Sequence, residues 1–241
     1  RKSICIYFGK INERGQRMIY LASDIHGHIR LEWLRLQLNQ LSLKESDYLI
    51  ILGDAGMIWS QTEHLEVRAY YEGLPCKTLF LDGNHENFDL IYEYPVKEFC
   101  GGLVHQISDK LFHLMRGEIY CIDGKTFFVF GGGFSVKKLT NASPVYVWEQ
   151  EMPTENEYSN GIQNLKKNAF TVDYVFTHVA PTGIAENIGA KLLSEEKILN
   201  DYLQNISEKL NFKKWYFGHH HKDIHIEPFV GVFESVLRLG E

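Results

Sequence analysis

Short unbroken apolar runs alternate with helically spaced ones through the first third of the chain. Residues 18–22 (MIYLA), 47–52 (DYLIIL) and 76–81 (CKTLFL) have the length and composition of strands buried on both faces. Between them, Leu31, Leu34, Leu38 and Leu41 recur at helical spacing within residues 29–41, and residues 62–72 read as a second helix. The order is βαβαβ, the mark of a largely parallel sheet. Sites in such sheets lie beyond the carboxyl ends of the strands, where Asp24, Asp54 and Asn84 would all stand.

The middle of the chain changes period. Residues 103–107, 111–115, 119–122 and 126–130 are short runs parted by Ser-Asp, Arg-Gly and Asp-Gly turns, which predicts antiparallel hairpins opening a second sheet. The following Gly131-Gly132-Gly133 lacks the spacing and lysine of a phosphate-cradling loop. It reads either as backbone brought close to a ligand or as an ordinary corner. Residues 144–153 read as a loop, with Tyr146, Trp148 and Glu149 exposed or folded over a cleft. Thr154 and Glu157 form a capping box that starts a helix reaching toward Phe170. A buried-type strand at 172–176 runs into Thr177-His178, and a helix is expected at 192–205. Trp215-Tyr216-Phe217 then runs into Gly218-His219-His220-His221. By strand alternation His219 and His221 face one side. Asp223 and His225 continue that row if the chain stays extended, either fixing imidazole tautomers or as plain surface residues.

Composition narrows the class. The 241 residues, with no Pro-, Ser- or Gly-rich linker, fit a single domain over 18–241, and 44% hydrophobic residues suffice for a large core. Residues 1–17 carry a short apolar patch and then a polar run. They are expected to be an extension upstream of a natural start at Met18, or else to supply an edge strand at 3–8. The net charge of −6 gives no sign of a protein that coats long nucleic acid. No apolar run approaches the roughly 20 residues of a membrane helix. Cys5, Cys76, Cys100 and Cys121 show no C-x-x-C spacing, and three lie in or beside apolar runs. This fits reduced core thiols and a cytoplasmic setting.

The chemistry gathers at the strand ends. Asp24 and His26, two apart, share a face of an extended segment and make a starter pair for a divalent ion; alone, a helix cap with a surface histidine explains them better. Four further stretches end apolar strands in the same manner. Asp24-X-His26, Gly53-Asp54, Gly83-Asn84-His85-Glu86, His178 and Gly218-His219-X-His221 stand in the order found in calcineurin-like metallophosphoesterases, which this chain resembles from Met18 to about Pro228.

The resemblance implies an α/β fold of two packed mixed β-sheets flanked by helices, a four-layer sandwich with a two-metal centre between strand ends. It further implies that one divalent ion is held by Asp24, His26, Asp54 and His221, and the other by Asp54, Asn84, His178 and His219, with Asp54 shared. The donors are all O or N and none is thiolate, which suits Mn²⁺ first, with Fe or Zn²⁺ as alternatives. The two aspartates leave net positive charge for an anionic phosphate. The activity implied is hydrolysis of a phosphomono- or phosphodiester, of a nucleotide or other small molecule, by a hydroxide bridging the metals. His85 is then the acid that protonates the leaving oxygen. The alternative is a catalytically idle module of the same fold that binds a protein partner.

The sequence departs from the family's protein-phosphatase branch. Met57 and Ile58 replace the Asp that orients the catalytic histidine and the Arg that binds phosphate there, so Glu86 or Asp82 is left to orient His85. Met57, Ile58 and Trp59 form either an apolar wall for a leaving group or packing beneath a loop. Arg30, Arg116, Lys137 and Lys138 are possible phosphate contacts or solvated charges, and His28 either touches substrate or caps the following helix. His64, His105 and His113 have no partner spacing and receive no role.

Overall fold

A computed structural model of the chain describes residues 17–60, 65–135 and 148–240. The expectations for residues 1–16, His64, Lys137, Lys138 and Tyr146 lie outside those described. β1 (Ile19–Ala22), β2 (Tyr48–Leu52) and β3 (Lys77–Leu81) are parallel neighbours joined by α1 (His28–Asn39) and α2 (Leu65–Gly73). The short α3 (Phe88–Tyr92) follows β3. Next come β4 (Val96–Phe99), β5 (Gly102–Gln106) and β6 (Leu111–Leu114), and the first sheet has the order β13-β1-β2-β3-β6-β5-β4, with β13 (Leu237–Arg238) on its far edge. The second sheet is built from β7 (Glu118–Ile122), β8 (Lys125–Phe130), β9 (Tyr174–Thr177), β10 (Lys214–Phe217), β11 (Ile224–Ile226) and β12 (Phe229–Gly231), in the order β11-β12-β10-β9-β8-β7. Its helices are α4 (Glu155–Lys167), α5 (Thr182–Asn187) and α6 (Ser194–Ser207).

One expectation about the middle is corrected. The hairpin β5–β6 belongs to the first sheet, because β6 pairs in parallel with β3 (Thr78 opposite Leu111), and only β7–β8 opens the second. Turn residues fix which strands form a hairpin but carry no information on which sheet edge the hairpin joins. The capping box at α4 forms as expected, with the Thr154 hydroxyl accepting the Glu157 N–H and the Glu157 carboxylate accepting the Thr154 N–H.

Both sheets are covered on both faces. Leu21, Ile50, Leu52, Leu79 and Leu81 of the first meet Phe127, Val129, Phe176 and Tyr216 of the second in a central core. The outer face of the first sheet packs Leu49, Ile51 and Phe80 against Leu34, Leu38 and Tyr71 of α1 and α2. That of the second packs Phe128, Val175 and Phe217 against Leu165, Leu199 and Leu203. These are four layers, which is why the strands read as unbroken apolar runs. Cys76 and Cys100 carry free thiols. No helix among the described residues is long and apolar enough to cross a membrane.

A buried charge cluster ties β3 to the link between the sheets. Arg116 donates through Nε to Asp82 Oδ2 at 2.8 Å, and His113 Nε2 lies 3.0 Å from Asp82 Oδ1. His105 Nδ1 stands 3.0 Å from His113 Nδ1. Burial alone would raise the Asp82 pKa, but the Arg116 guanidinium and His113 beside it bring it down to about 2. Arg116 is therefore an internal counter-ion and not a phosphate contact, and His105 and His113 belong to its network. Replacing Arg116 by Ala leaves the Asp82 carboxylate buried without its cation. Urea unfolding of Arg116→Ala is expected to show a loss of about 3–5 kcal/mol.

Candidate metal centre

The sequence-predicted donors lie just past the carboxyl ends of β1, β2, β3, β9 and β10. Several occupy left-handed backbone: Asp24 at φ 54°, His26 at 50°, Asp54 at 51°, His219 at 67° and His221 at 51°. Alternation in an extended chain is therefore not what brings Asp24 to His26, or His219 to His221. The chain turns after each strand, and the side chains converge through the turns. Such conformations cost of order 1–3 kcal/mol each for non-glycine residues and persist where surrounding bonds impose them. Here the Asp24 N–H donates to the Gly53 carbonyl at 3.1 Å and the His26 N–H to the Asp54 carbonyl at 2.7 Å, lacing the first turn to the second. Two glycines make the convergence possible. A Cβ on Gly218 would lie 1.9 Å from Ser23 Oγ, and one on Gly83 would lie 2.1 Å from Asp54 Oδ1 and 2.7 Å from His178 Nε2.

Asp24 and Asp54 are both fully buried. Around them His221 Nε2 is 3.4 Å from Asp24 Oδ1, His26 Nε2 is 3.6 Å from Asp54 Oδ2, and His26 and His221 face each other at 3.3 Å between Nε2 atoms. On the other side of Asp54, His178 Nε2 stands 3.5 Å from Oδ1 and 3.3 Å from Asn84 Oδ1. Asp24, His26 and His221 form one group of donors that could hold an ion; Asp24, Asp54 and His178 form a second. The His219 ring lies 5.0 Å from that of His178. His85 sends its backbone N–H to Asp54 Oδ1 at 2.8 Å, and its ring lies 5.3 Å from that of His26.

These donors fit divalent cations. Ligand atoms held about 2.1 Å from one ion stand roughly 3.0–3.4 Å apart around it, close to the spacings between these side chains. Electrostatics point the same way. Burial alone would lower the His178 pKa, but Asp54 and Asp24 beside it push it up to about 10, so a positive charge is held between the two carboxylates. Asp54 would be raised by burial and is instead held far below the usual carboxylate range by His178, His85 and His26. A site that retains a proton in this manner offers a metal ion the same stabilisation.

Several supports were not legible beforehand. The Ser135 hydroxyl accepts from Asn84 Nδ2 at 3.1 Å and so turns Asn84 Oδ1 toward His178. In the same glycine-rich corner the Gly133 backbone comes close to Asn84, where a Cβ would lie 3.2 Å from Oδ1. Phe233 stacks on His221 at 4.8 Å with the rings 4° from parallel, and the Arg30 guanidinium lies 3.9 Å from the Phe233 ring. Arg30 also donates to the Phe233 carbonyl at 2.7 Å and to those of Ser23 and Asp24, so it braces the turn from inside. Asp223 does not continue a metal-facing row; it accepts the N–H groups of Phe233 and Glu234, both at 2.8 Å, and His225 is exposed. Buried Glu196 of α6 lies 3.2 Å from His219 Nε2. Long-range contacts of this kind leave no local signal in the sequence.

Neither expected orienter of His85 serves that purpose. Asp82 is taken by Arg116, and Glu86 accepts the N–H of Ala55 at 2.7 Å and of Gly56 at 3.3 Å, which braces the loop after Asp54. Met57 and Ile58 pack beneath that loop in the first core, while half-buried Trp59 meets Trp148 edge to face at 5.8 Å. His28 is exposed beside Glu66 and is not the cap of α1, whose N-cap is Gly27.

The family model for calcineurin-like phosphoesterases matches residues 18–223, which takes in all seven donors and His85. The chain belongs to that family. No curated protein matches its sequence at a significant level. Among solved structures, a protein classed as a 5′-nucleotidase from Staphylococcus aureus, in complex with α-ketoglutarate, is 15% identical. Its likeness covers 90% of this chain and 48% of that one, with a TM-score of 0.48, so this chain spans about half its length. Phosphopantetheinyl hydrolase from Mycobacterium tuberculosis is 14% identical over 91% of this chain and 89% of that one, with a TM-score of 0.40. A protein of unknown function from Aquifex aeolicus is 17% identical over 80% and 99%, with a TM-score of 0.38.

Gly83 leaves no room for a Cβ beside Asp54 and His178. In Gly83→Ala the added methyl displaces Asp54 or His178, and calorimetric titration with Mn²⁺ is expected to show at least about a tenfold loss of affinity. Far-UV circular dichroism of the same variant should stay that of the parent.

Proposed function

We propose that the chain is a binuclear metal-dependent phosphoesterase acting on a phosphomonoester or phosphodiester of a nucleotide or other small molecule. The observation that carries this reading is the convergence of O and N donors from five strand ends on two buried aspartates. Among the described residues those carboxylates meet imidazoles, a hydroxyl and backbone N–H groups. One ion would be held by Asp24, His26, Asp54 and His221, the other by Asp54, Asn84, His178 and His219. Two divalent ions, Mn²⁺ by preference, when bound supply the Lewis acidity that activates water for in-line attack on phosphorus and balances the phosphate charge.

The protein's own groups do the rest. Asp54 is shared between the two donor sets, and the His85 N–H fixes its Oδ1 in place. The same bond ties the backbone of His85 to the shared carboxylate, so its imidazole stands at the edge of the centre, packed against His26. From there it holds a proton for the leaving oxygen, which an imidazole can do near neutral pH. Ser135 keeps the Asn84 amide from rotating its N–H₂ toward the cation, and Phe233 keeps His221 in register.

Two expectations test the proposal. With Mn²⁺ the parent should hydrolyse p-nitrophenyl phosphate, bis-p-nitrophenyl phosphate or both, chelator should abolish the activity, and Asp54→Asn should lose at least about a thousandfold. An absence of metal-dependent turnover in the parent would favour the partner-binding module instead. In His85→Ala the loss should depend on the leaving group. It should be about 10²–10⁴-fold for alkyl and nucleoside esters and much smaller for p-nitrophenyl esters, whose leaving oxygen departs without a proton. An equal loss for both kinds of ester contradicts the role given to His85.

A further inference from the structure

The corner after β8 meets the centre from a side the family motifs do not describe. Residues Gly131 to Ser135 run beneath Asn84, and Ser135 orients that amide. One residue earlier, the Phe134 N–H donates at 2.9 Å to Glu196 Oε2, from the first turn of α6. The same oxygen lies 3.2 Å from His219 Nε2. Glu196 is only 6% exposed, so its carboxylate faces this cluster and not solvent. A buried carboxylate is costly unless its oxygens are satisfied, and here a backbone N–H and an imidazole supply the partners.

An imidazole binds a metal through one ring nitrogen, and what the other nitrogen meets decides the tautomer and the ring orientation. With Nε2 directed at the carboxylate, Nδ1 is the nitrogen of His219 left for an ion. We propose that Glu196 is a positioning residue of the metal centre. It accepts the Nε2–H of His219, locks the tautomer that leaves Nδ1 as the ligand, and is itself held by the Phe134 N–H. This rests on the binuclear reading above and adds a third carboxylate to the charge around the ions. It also gives the glycine-rich corner and α6 a shared task, since the backbone of one and the side chain of the other fix a single histidine.

The test is Mn²⁺ binding by calorimetry to chelator-stripped protein, read on a double-mutant cycle. The parent should take two ions. Glu196→Ala should weaken one of them about 10–100-fold and leave the other within about threefold. Glu196→Gln, which keeps an acceptor oxygen without the charge, should recover part of the loss. Because the effect runs through the imidazole, Glu196→Ala should add less than about a twofold loss in a His219→Ala background. Should Glu196→Ala fail to fold, the cycle is read with Glu196→Gln. Parent-like affinity for both ions in the Glu196 variants overturns the proposal alone. So does full additivity with His219→Ala, which would make Glu196 a ligand in its own right or a residue of the general fold. Fewer than two ions in the parent would overturn the binuclear reading together with it.

Discussion

The Asp54 carboxylate is the constraint on which the rest of the molecule turns. It is buried, yet it accepts the His85 N–H at 2.8 Å and stands between His26 at 3.6 Å and His178 at 3.5 Å, imidazoles delivered by different sheets. A lone carboxylate in such a place would be protonated or would unfold its surroundings. Its charge is sustained because β1, β3 and β9 end beside it and deliver His26, the His85 N–H and His178. The two-sheet architecture is thus one way of assembling positive potential around a single buried anion. The calcineurin-like family match, spanning residues 18–223, covers that whole arrangement.

The surrounding polar network spends its hydrogen bonds on posture. Glu86 holds the loop after Asp54, Ser135 the Asn84 amide, Arg30 and Phe233 the His221 side, and Asp82 with Arg116 the base of the Asn84 loop. Each of these is buried or half-buried, where a hydrogen bond is strong and a missing partner is expensive. Donors on loops would ordinarily wander. These loops are short, leave rigid parallel strands and are cross-laced, so the site has the stiffness of the sheets beneath it.

Much of this was legible in the sequence, and what was not has physical reasons. Continuous apolar runs at Tyr48–Leu52 and Lys77–Leu81 announced strands buried on both faces, and a polar donor directly after each announced a site at their ends. Asp24, His26, His219 and His221 sit in left-handed turns and not in extended chain, so strand alternation does not set where their side chains point. Sheet membership of β5–β6 was misread because local turn signals do not encode parallel pairing with β3. Arg116 read as a phosphate contact or a solvated charge, and His113 received no role, because their partner Asp82 lies 34 and 31 positions away; His105 joins the cluster only through His113. Glu196 and Ser135 were invisible for the same reason: each acts on a donor that only the fold brings near.

The central claim, two cations sharing Asp54, is tested most directly by anomalous scattering from crystals of the chain grown with Mn²⁺. The account predicts two anomalous peaks roughly 3.5–4 Å apart with the Asp54 carboxylate between them. A single peak remote from Asp54, or none at full Mn²⁺ saturation, would contradict it.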